Sequence, residues 1–227
     1  SGAQKIEAHP GQNDLEKFRQ LLSTAKKPLV ILGGSDWNVE ACRNFQKFAE
    51  KNNLPIACAF RCQHLFDNKH PLYVGDVGIG INPRLANRVR DSDLLIALGP
   101  RLGEITTSGY SLIKVPTPAQ QLIHIHSGAE ELGRNYQATL AINSSPPAFC
   151  QSLLRYDGKN GNWEIITKTA RKEYLEWSEP KQTKDNVNLS EIVSWLSENT
   201  PKNTIITNGA GNYSSWIHRY YKYRSFG

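Results

Sequence analysis

Pro28-Leu29-Val30-Ile31-Leu32-Gly33-Gly34 is the stretch that decides the fold. Leu29 to Leu32 are apolar without alternation, so a strand built from them is polar on neither face. Such strands belong to parallel sheets covered by helices on both sides, and the glycine pair ends the run. Downstream, Asn38 is placed to cap a helix in which Cys42, Phe45, Phe48 and Ala49 form one apolar stripe. Pro55-Ile56-Ala57-Cys58-Ala59 reads as the next strand. A helical stretch at 83–90 then leads to Leu94-Leu95-Ile96-Ala97-Leu98, which stops at Gly99. Leu122-Ile123-His124-Ile125 and the short Leu140-Ala141-Ile142 follow as strands, and Pro146-Pro147 opens a helix over 148–154. Upstream, residues 1–25 read as a polar lead-in and a short helix carrying Leu15, Phe18, Leu21 and Leu22, with Asp14 in its first turn. Strands alternating with helices predict a doubly wound, Rossmann-like α/β domain over residues 26–155, with about six parallel strands and helices on both faces.

Beyond residue 155 the pattern weakens. Polar stretches at 157–162 and 179–185 flank a charged helix at 163–177, and residues 156–185 read as a linker. Asn188 with Glu191 then resembles a capping box ahead of Ile192, Val193 and Leu196. A strand follows at Thr204-Ile205-Ile206-Thr207, then the loop Asn208-Gly209-Ala210-Gly211-Asn212, then an aromatic-rich helix from Tyr213 to about Tyr223. One parallel strand has no partner in so short a segment. Residues 186–227 are therefore expected to be the start of a second, incomplete α/β domain.

The 227 residues carry a formal net charge of +6, with 27 basic and 21 acidic side chains spread along the chain. No zinc-finger spacing or RNA-recognition signature accompanies that modest excess, so it reads as a solvated surface and no nucleic-acid partner is expected. The 39% hydrophobic content excludes a disordered chain. No apolar run approaches the roughly 20 residues of a membrane helix, and no secretory signal opens the sequence. Cys42, Cys58, Cys62 and Cys150 lack a completed metal-ligand spacing and read as reduced thiols, which suits a cytoplasmic location. Methionine is absent, position 1 included. The chain is therefore expected to be a piece of a longer protein.

Ligands of open α/β sheets bind beyond the carboxyl ends of the strands. Four glycine-bearing loops fall there: Gly33-Gly34, Gly75-Asp76-Val77-Gly78-Ile79-Gly80, Gly99-Pro100-Arg101 and Asn208–Asn212. None is a complete G-x-G-x-x-G, since Pro83 stands where the third glycine would be. No G-x-S-x-G, Walker A or H-E-x-x-H motif occurs. His124 and His126 read as structural histidines at a strand end, expected to face opposite sides. Asp91 and Asp93 read as the start of a strand, and Glu130-Glu131 as the start of a short helix. No catalytic or metal-ligating constellation emerges.

Several dispersed motifs in order carry a resemblance. Pro28–Gly34, Ala97-Leu98-Gly99-Pro100-Arg101, and His124-Ile125-His126 through Gly133-Arg134-Asn135 resemble the central domain of thiamine diphosphate-dependent enzymes, closest to the acetolactate synthase large subunit group. Thr204 through Trp216, with the run Tyr220-Tyr221-Lys222-Tyr223, resembles the start of that family's C-terminal, diphosphate-binding domain. The resemblance implies a parent enzyme of three domains that uses thiamine diphosphate and Mg2+ to decarboxylate and join 2-keto acids, assembled as a homodimer or homotetramer. It implies that Gly211, Asn212 and Tyr213 contact the cofactor's diphosphate. The activating glutamate would lie in a preceding domain and the Gly-Asp-Gly…Asn metal motif beyond Gly227, so this piece alone is expected to be inactive. Acetolactate synthases also carry FAD in the central domain, and Arg101 stands where that subgroup has an arginine near the nucleotide, with Gly33, Gly34 and Gly99 as the adjoining glycines. Against FAD, His126 replaces the usual acidic residue and Leu102-Gly103-Glu104 departs from the flavin pattern. A free-standing FAD- or NAD-binding domain is the alternative, and a non-enzymatic interaction module a third reading.

Overall fold

The computed structural model describes residues 6–156, 163–184 and 186–226. The expected polar stretch at 157–162 lies outside the described residues. Six strands, β1 (Pro28–Leu32), β2 (Ile56–Cys58), β3 (Tyr73–Asp76), β4 (Leu94–Leu98), β5 (Gln121–His126) and β6 (Leu140–Asn143), form one sheet in the order β3-β2-β1-β4-β5-β6. Every pairing is parallel. The chain starts at the middle, winds to one edge, returns and winds to the other, so the order reverses between β1 and β4.

All five residues of β1 and of β4 are buried, as their unbroken apolar runs require. Val30, Leu32, Leu94, Ile96 and Leu98 face a cluster with Phe18, Phe45, Phe48 and Phe149. These aromatics come from α1 (Gln12–Thr24), α2 (Val39–Asn52) and α4 (Pro146–Leu153). Leu29, Ile31, Leu95 and Ala97 face Leu85 and Val89 of α3 (Pro83–Asp91). Period-two alternation thus feeds two cores at once. The helices start where the sequence provides caps. Asn38 accepts the Ala41 amide at 2.8 Å, and Ser145 Oγ accepts the Ala148 amide at 3.1 Å ahead of Pro146. Each such cap contributes about 1 kcal/mol.

The stretch expected to be a linker contains α5 (Glu164–Trp177), and α5 is part of the domain's core. Trp163 and Tyr174 join one apolar cluster and Ala170 the other, so the helix seals the β3 edge. Trp163 Nε1 donates to the Ala25 carbonyl at 3.0 Å and Thr167 Oγ1 to the Asn53 carbonyl at 2.7 Å. The Arg171 guanidinium donates to the carbonyls of Asn68 and Tyr73 at 2.9 and 2.8 Å. Its charged outer face hid these contacts from the sequence.

Two further departures follow from pairing. β3 forms from Tyr73-Val74-Gly75-Asp76, which the sequence offered only as a glycine loop. Its apolar lead is short, and Gly75 adopts φ +122°. Conversely, the strand expected at Thr204-Ile205-Ile206-Thr207 does not form, and Ile205 is 78% exposed. No neighbouring strand among the described residues offers it a ladder, and an unpaired strand is not stable. The C-terminal segment instead holds α6 (Leu189–Asn199) and α7 (Ser214–Tyr220), joined by a small cluster of Val193, Tyr220 and Tyr221.

Candidate functional site

The order reversal between β1 and β4 brings Gly33-Gly34 against Gly99-Pro100-Arg101. Gly34 (φ +77°) and Gly99 (φ +86°) use conformations that side chains rarely adopt. A Cβ on Gly34 would overlap the Gly99 carbonyl, and one on Gly99 would overlap the Gly33 carbonyl. On Gly33 it would come within 2.7 Å of Pro100 and 2.8 Å of Ala59. The amides are engaged as well. Gly33 N–H donates to Leu98 and Gly99 N–H to Ile125, at 3.1 and 2.8 Å. Burial pushes the Cys62 thiol up, and the nearby Gly34 backbone opposes that shift. Trp37 Nε1 closes the crevice by donating to the Gly33 carbonyl at 2.8 Å. A phosphate needs free amides aimed outward, and these glycines serve instead to let two loops touch. They do not fit the phosphates of a dinucleotide, and nothing here places FAD on the chain.

Arg101 is exposed to solvent and pairs with Glu131 Oε1 at 2.8 Å, as does Arg134 at the same distance. Desolvation pushes the Glu131 carboxyl up, but the two guanidiniums outweigh it and hold the group below its usual range. The Arg101 charge is thus already partnered within the chain. His124 is buried, and its Nε2 lies 3.0 Å from the Pro100 carbonyl. That acceptor requires the proton on Nε2, while burial keeps the ring neutral. His126 Nδ1 accepts the Gly128 amide at 3.0 Å. Both are structural histidines, but they do not face opposite sides: the ring centroids are 6.0 Å apart, because residues two apart in a strand share a face. Asp93 does not begin a strand by itself. Its carboxyl accepts the Lys26 and Lys27 amides at 2.7 and 2.8 Å and so fixes the entry to β1.

The second glycine loop precedes α7. Gly211, Asn212 and Tyr213 are exposed, and a Cβ on Gly211 would meet the Tyr213 ring at 2.5 Å. The helix amides of Ser214, Ser215 and Trp216 are bonded back to Gly211, Asn212 and Tyr213. Among the described residues, no amide of 209–213 donates within the chain. This loop, unlike the switch-point pair, offers free backbone donors in a glycine-lined, solvent-facing turn. That donor set fits a diphosphate.

Between the loop after β2 and residues 202–208 lies a cavity of about 350 Å3, lined among others by Arg61, Gln63, His64, Lys202 and His218. Behind His218 is Asp76, the last residue of β3, a carboxyl that burial pushes up to about 7. Lys222, which burial pushes down to about 7, donates to the Tyr174 hydroxyl at 2.9 Å. The sequence reading passed over this group. Its one local signal is an acid inside Val74-Gly75-Asp76-Val77, where apolar neighbours foretell burial. A second cavity of about 320 Å3 opens at the opposite, amino edge of the sheet, where Arg88 is already paired to Glu173 at 2.6 Å.

The comparisons resolve which fold family this is. The family model described as thiamine pyrophosphate enzyme, central domain, matches residues 15–153. The chain belongs to that family. Similar proteins include the acetolactate synthase isozyme 2 large subunit of Escherichia coli (strain K12), 25% identical over 89% of this chain and 36% of the relative. Sulfoacetaldehyde acetyltransferase of Alcaligenes xylosoxydans xylosoxydans is 28% identical over 65% of this chain and 24% of its own length. A 3D-(3,5/4)-trihydroxycyclohexane-1,2-dione hydrolase of Geobacillus thermodenitrificans is 36% identical over 44% of this chain and 16% of its own. The thiamine pyrophosphate enzyme central-domain chain thus spans about a third of the acetolactate synthase's length. The match at 15–153 corresponds to the sheet and its first four helices. No helix among its described residues is long and apolar enough to cross a membrane.

Proposed function

We propose that the chain is a working part of a thiamine diphosphate- and Mg2+-dependent enzyme that decarboxylates and joins 2-keto acids, as an acetolactate synthase does. In this reading residues 26–155 are the central domain, with α5 of the stretch 156–185 packed into its core, and 186–227 begin the diphosphate-binding domain. The carrying observation is the contrast between the two glycine loops. The Gly33 and Gly99 amides at the switch point are engaged, whereas those of residues 209–213 donate to nothing within the described residues. Similarity to the E. coli synthase over 89% of the chain, past the end of the family match, supports the same division.

Gly211, Asn212 and Tyr213 would hold the diphosphate through backbone amides and the Asn212 side chain. Bound there, thiamine diphosphate supplies an electron sink for cleaving the bond to a 2-keto acid's carboxylate. Gly33, Gly34, Gly99 and Arg101 act structurally, which disfavours a free-standing dinucleotide binder. The parent enzyme would be a cytoplasmic homodimer or homotetramer, with its activating glutamate and metal motif outside residues 1–227, leaving this chain inactive alone. Turnover tests the proposal. The full-length subunit, supplied with thiamine diphosphate and Mg2+, is expected to consume pyruvate, and the 227-residue chain is not. Absence of cofactor-dependent consumption of pyruvate and 2-oxobutyrate by the full-length subunit would contradict it.

A further inference from the structure

α6 and α7 form one body. Val193 of α6 packs with Tyr220 and Tyr221, and the Lys222 amide donates to Ser197 Oγ at 2.8 Å. That body meets the central domain along a seam. At the start of the seam the loop after β3 runs beside α7, where a Cβ on Gly80 would stand 3.4 Å from the Ser215 Cβ. In the middle, the buried His218 ring packs on Phe60 with centroids 4.7 Å apart. Next to it, the Arg219 guanidinium stacks 3.6 Å over Trp177 and its Nε donates to the Trp177 carbonyl at 2.6 Å. The last point of the seam is Asn68.

Asn68 is 1% exposed, and its polar groups are bonded on every side. Its Oδ1 accepts the Tyr223 amide at 3.0 Å, and its own amide donates to the Tyr223 carbonyl at 2.8 Å. Its Nδ2 donates to the carbonyls of Gln63 and Phe66 at 2.9 and 2.8 Å. Its carbonyl accepts from the Arg171 guanidinium of α5 at 2.9 Å. These partners fix which way the side chain points. Turned over, Nδ2 would face the Tyr223 N–H and Oδ1 would face two carbonyls. One buried side chain thus joins α5, the loop after β2 and residue 223.

We propose that Asn68 is a positioning residue for the diphosphate loop, a central-domain side chain that sets where residues 209–213 stand. The path between them is continuous. Residues 221–223 follow α7 directly, and the seven residues of α7 span about 10 Å. At the other end of α7, Ser214 and Ser215 bond through both amide and hydroxyl to the carbonyls of Gly211 and Asn212. Holding Tyr223 in place therefore holds the loop in place, without Asn68 touching a ligand. The loop needs such support. Its own amides donate to nothing within the described residues, so they do not anchor it. Donors meant for a ligand bind well only when the surrounding shell fixes their direction. The assignment rests on the diphosphate reading of 209–213, whereas the seam itself does not.

Hydrogen exchange in the 227-residue chain, without cofactor, compares wild type with Asn68→Ala and Arg219→Ala, using β1 and β4 amides as internal reference. Each variant is expected to lower α7 protection by about tenfold, the weight of one buried hydrogen bond. Protection unchanged within about twofold overturns the proposal. Arg219→Ala removes a separate point of the seam and leaves the buried turn at 63–68 intact, so the test stands even where Asn68→Ala does not fold. Calorimetry of thiamine diphosphate with Mg2+ on the full-length subunit then reads the loop. Both variants are expected to weaken binding by about five- to tenfold, with turnover at saturating cofactor changed by less than about twofold. Phe149→Leu, a core change where α1 meets α4, is expected to lower stability and leave that affinity within about twofold. Equal affinity in wild type and both seam variants, or an equal loss in Phe149→Leu, overturns the positioning role. No binding by the wild-type subunit overturns the diphosphate reading and the positioning with it, while the exchange result still decides whether Asn68 holds α7.

Discussion

Gly34→Ala is expected to lower the unfolding free energy by about 3 kcal/mol or more. Two effects add at this position. The backbone has φ +77°, which costs a side-chain-bearing residue about 1–2 kcal/mol. The new methyl would also overlap the Gly99 carbonyl, an atom of the neighbouring loop's backbone that cannot swing aside. Gly109→Ala is the matched control. Gly109 has φ +67°, but a Cβ there would meet no atom within 4 Å, so only the conformational cost of about 1 kcal/mol applies. Urea denaturation of the two variants separates the effects. Equal losses would mean that the β1 and β4 loops do not depend on touching, and the structural role given to Gly33, Gly34 and Gly99 would fall.

Phe149→Ala is expected to cost about 3–5 kcal/mol, the range for a buried aromatic that leaves a cavity. Phe149 is 1% exposed and meets Phe18 edge-to-face at 5.3 Å. It joins α4 to α1 over the sheet, so its loss opens the cluster at a point where two helices meet. The surrounding rings, Phe45 and Phe48, are held by α2 and have little freedom to collapse inward. Trp195→Ala on α6 offers the contrast. That side chain is 62% exposed, and its removal should change stability by less than about 0.5 kcal/mol. Chemical denaturation followed by circular dichroism reads both. Similar costs would show that α4 is not part of the cooperative core.

Much of the fold was legible because long apolar strands declare themselves. Leu29–Leu32 and Leu94–Leu98 needed no partner information to be placed in a covered parallel sheet. Helix starts were legible at Asn38 and Asn188, whose side chains accept the predicted amides. What escaped depended on tertiary contact. β3 is short and carries a glycine, so only its pairing with β2 defines it. The segment 204–207 has strand-like composition, yet β-structure needs a neighbour that the described chain does not supply. α5 presents a charged face to solvent, and its burial of Trp163, Ala170 and Tyr174 shows only after folding.

The candidate site divides in the same way. Glycine loops at strand ends were visible, but sequence cannot tell a glycine whose amide is free from one whose amide is bonded. That distinction separates Gly211 from Gly33 and Gly99. Asp76 was visible as a letter within a glycine-rich loop, while its neighbours His218 and Lys222 lie more than 140 positions away and meet it only through α7.

Calorimetric titration of FAD, NAD and thiamine diphosphate with Mg2+ into the 227-residue chain, beside thiamine diphosphate with Mg2+ into the full-length subunit, tests the central claim most directly. The account predicts saturable binding of thiamine diphosphate by the full-length subunit and no saturable binding of any of the three by the chain alone. Tight binding of FAD or NAD by the 227-residue chain would contradict it, because the switch-point glycines would then be receiving a nucleotide rather than packing against each other.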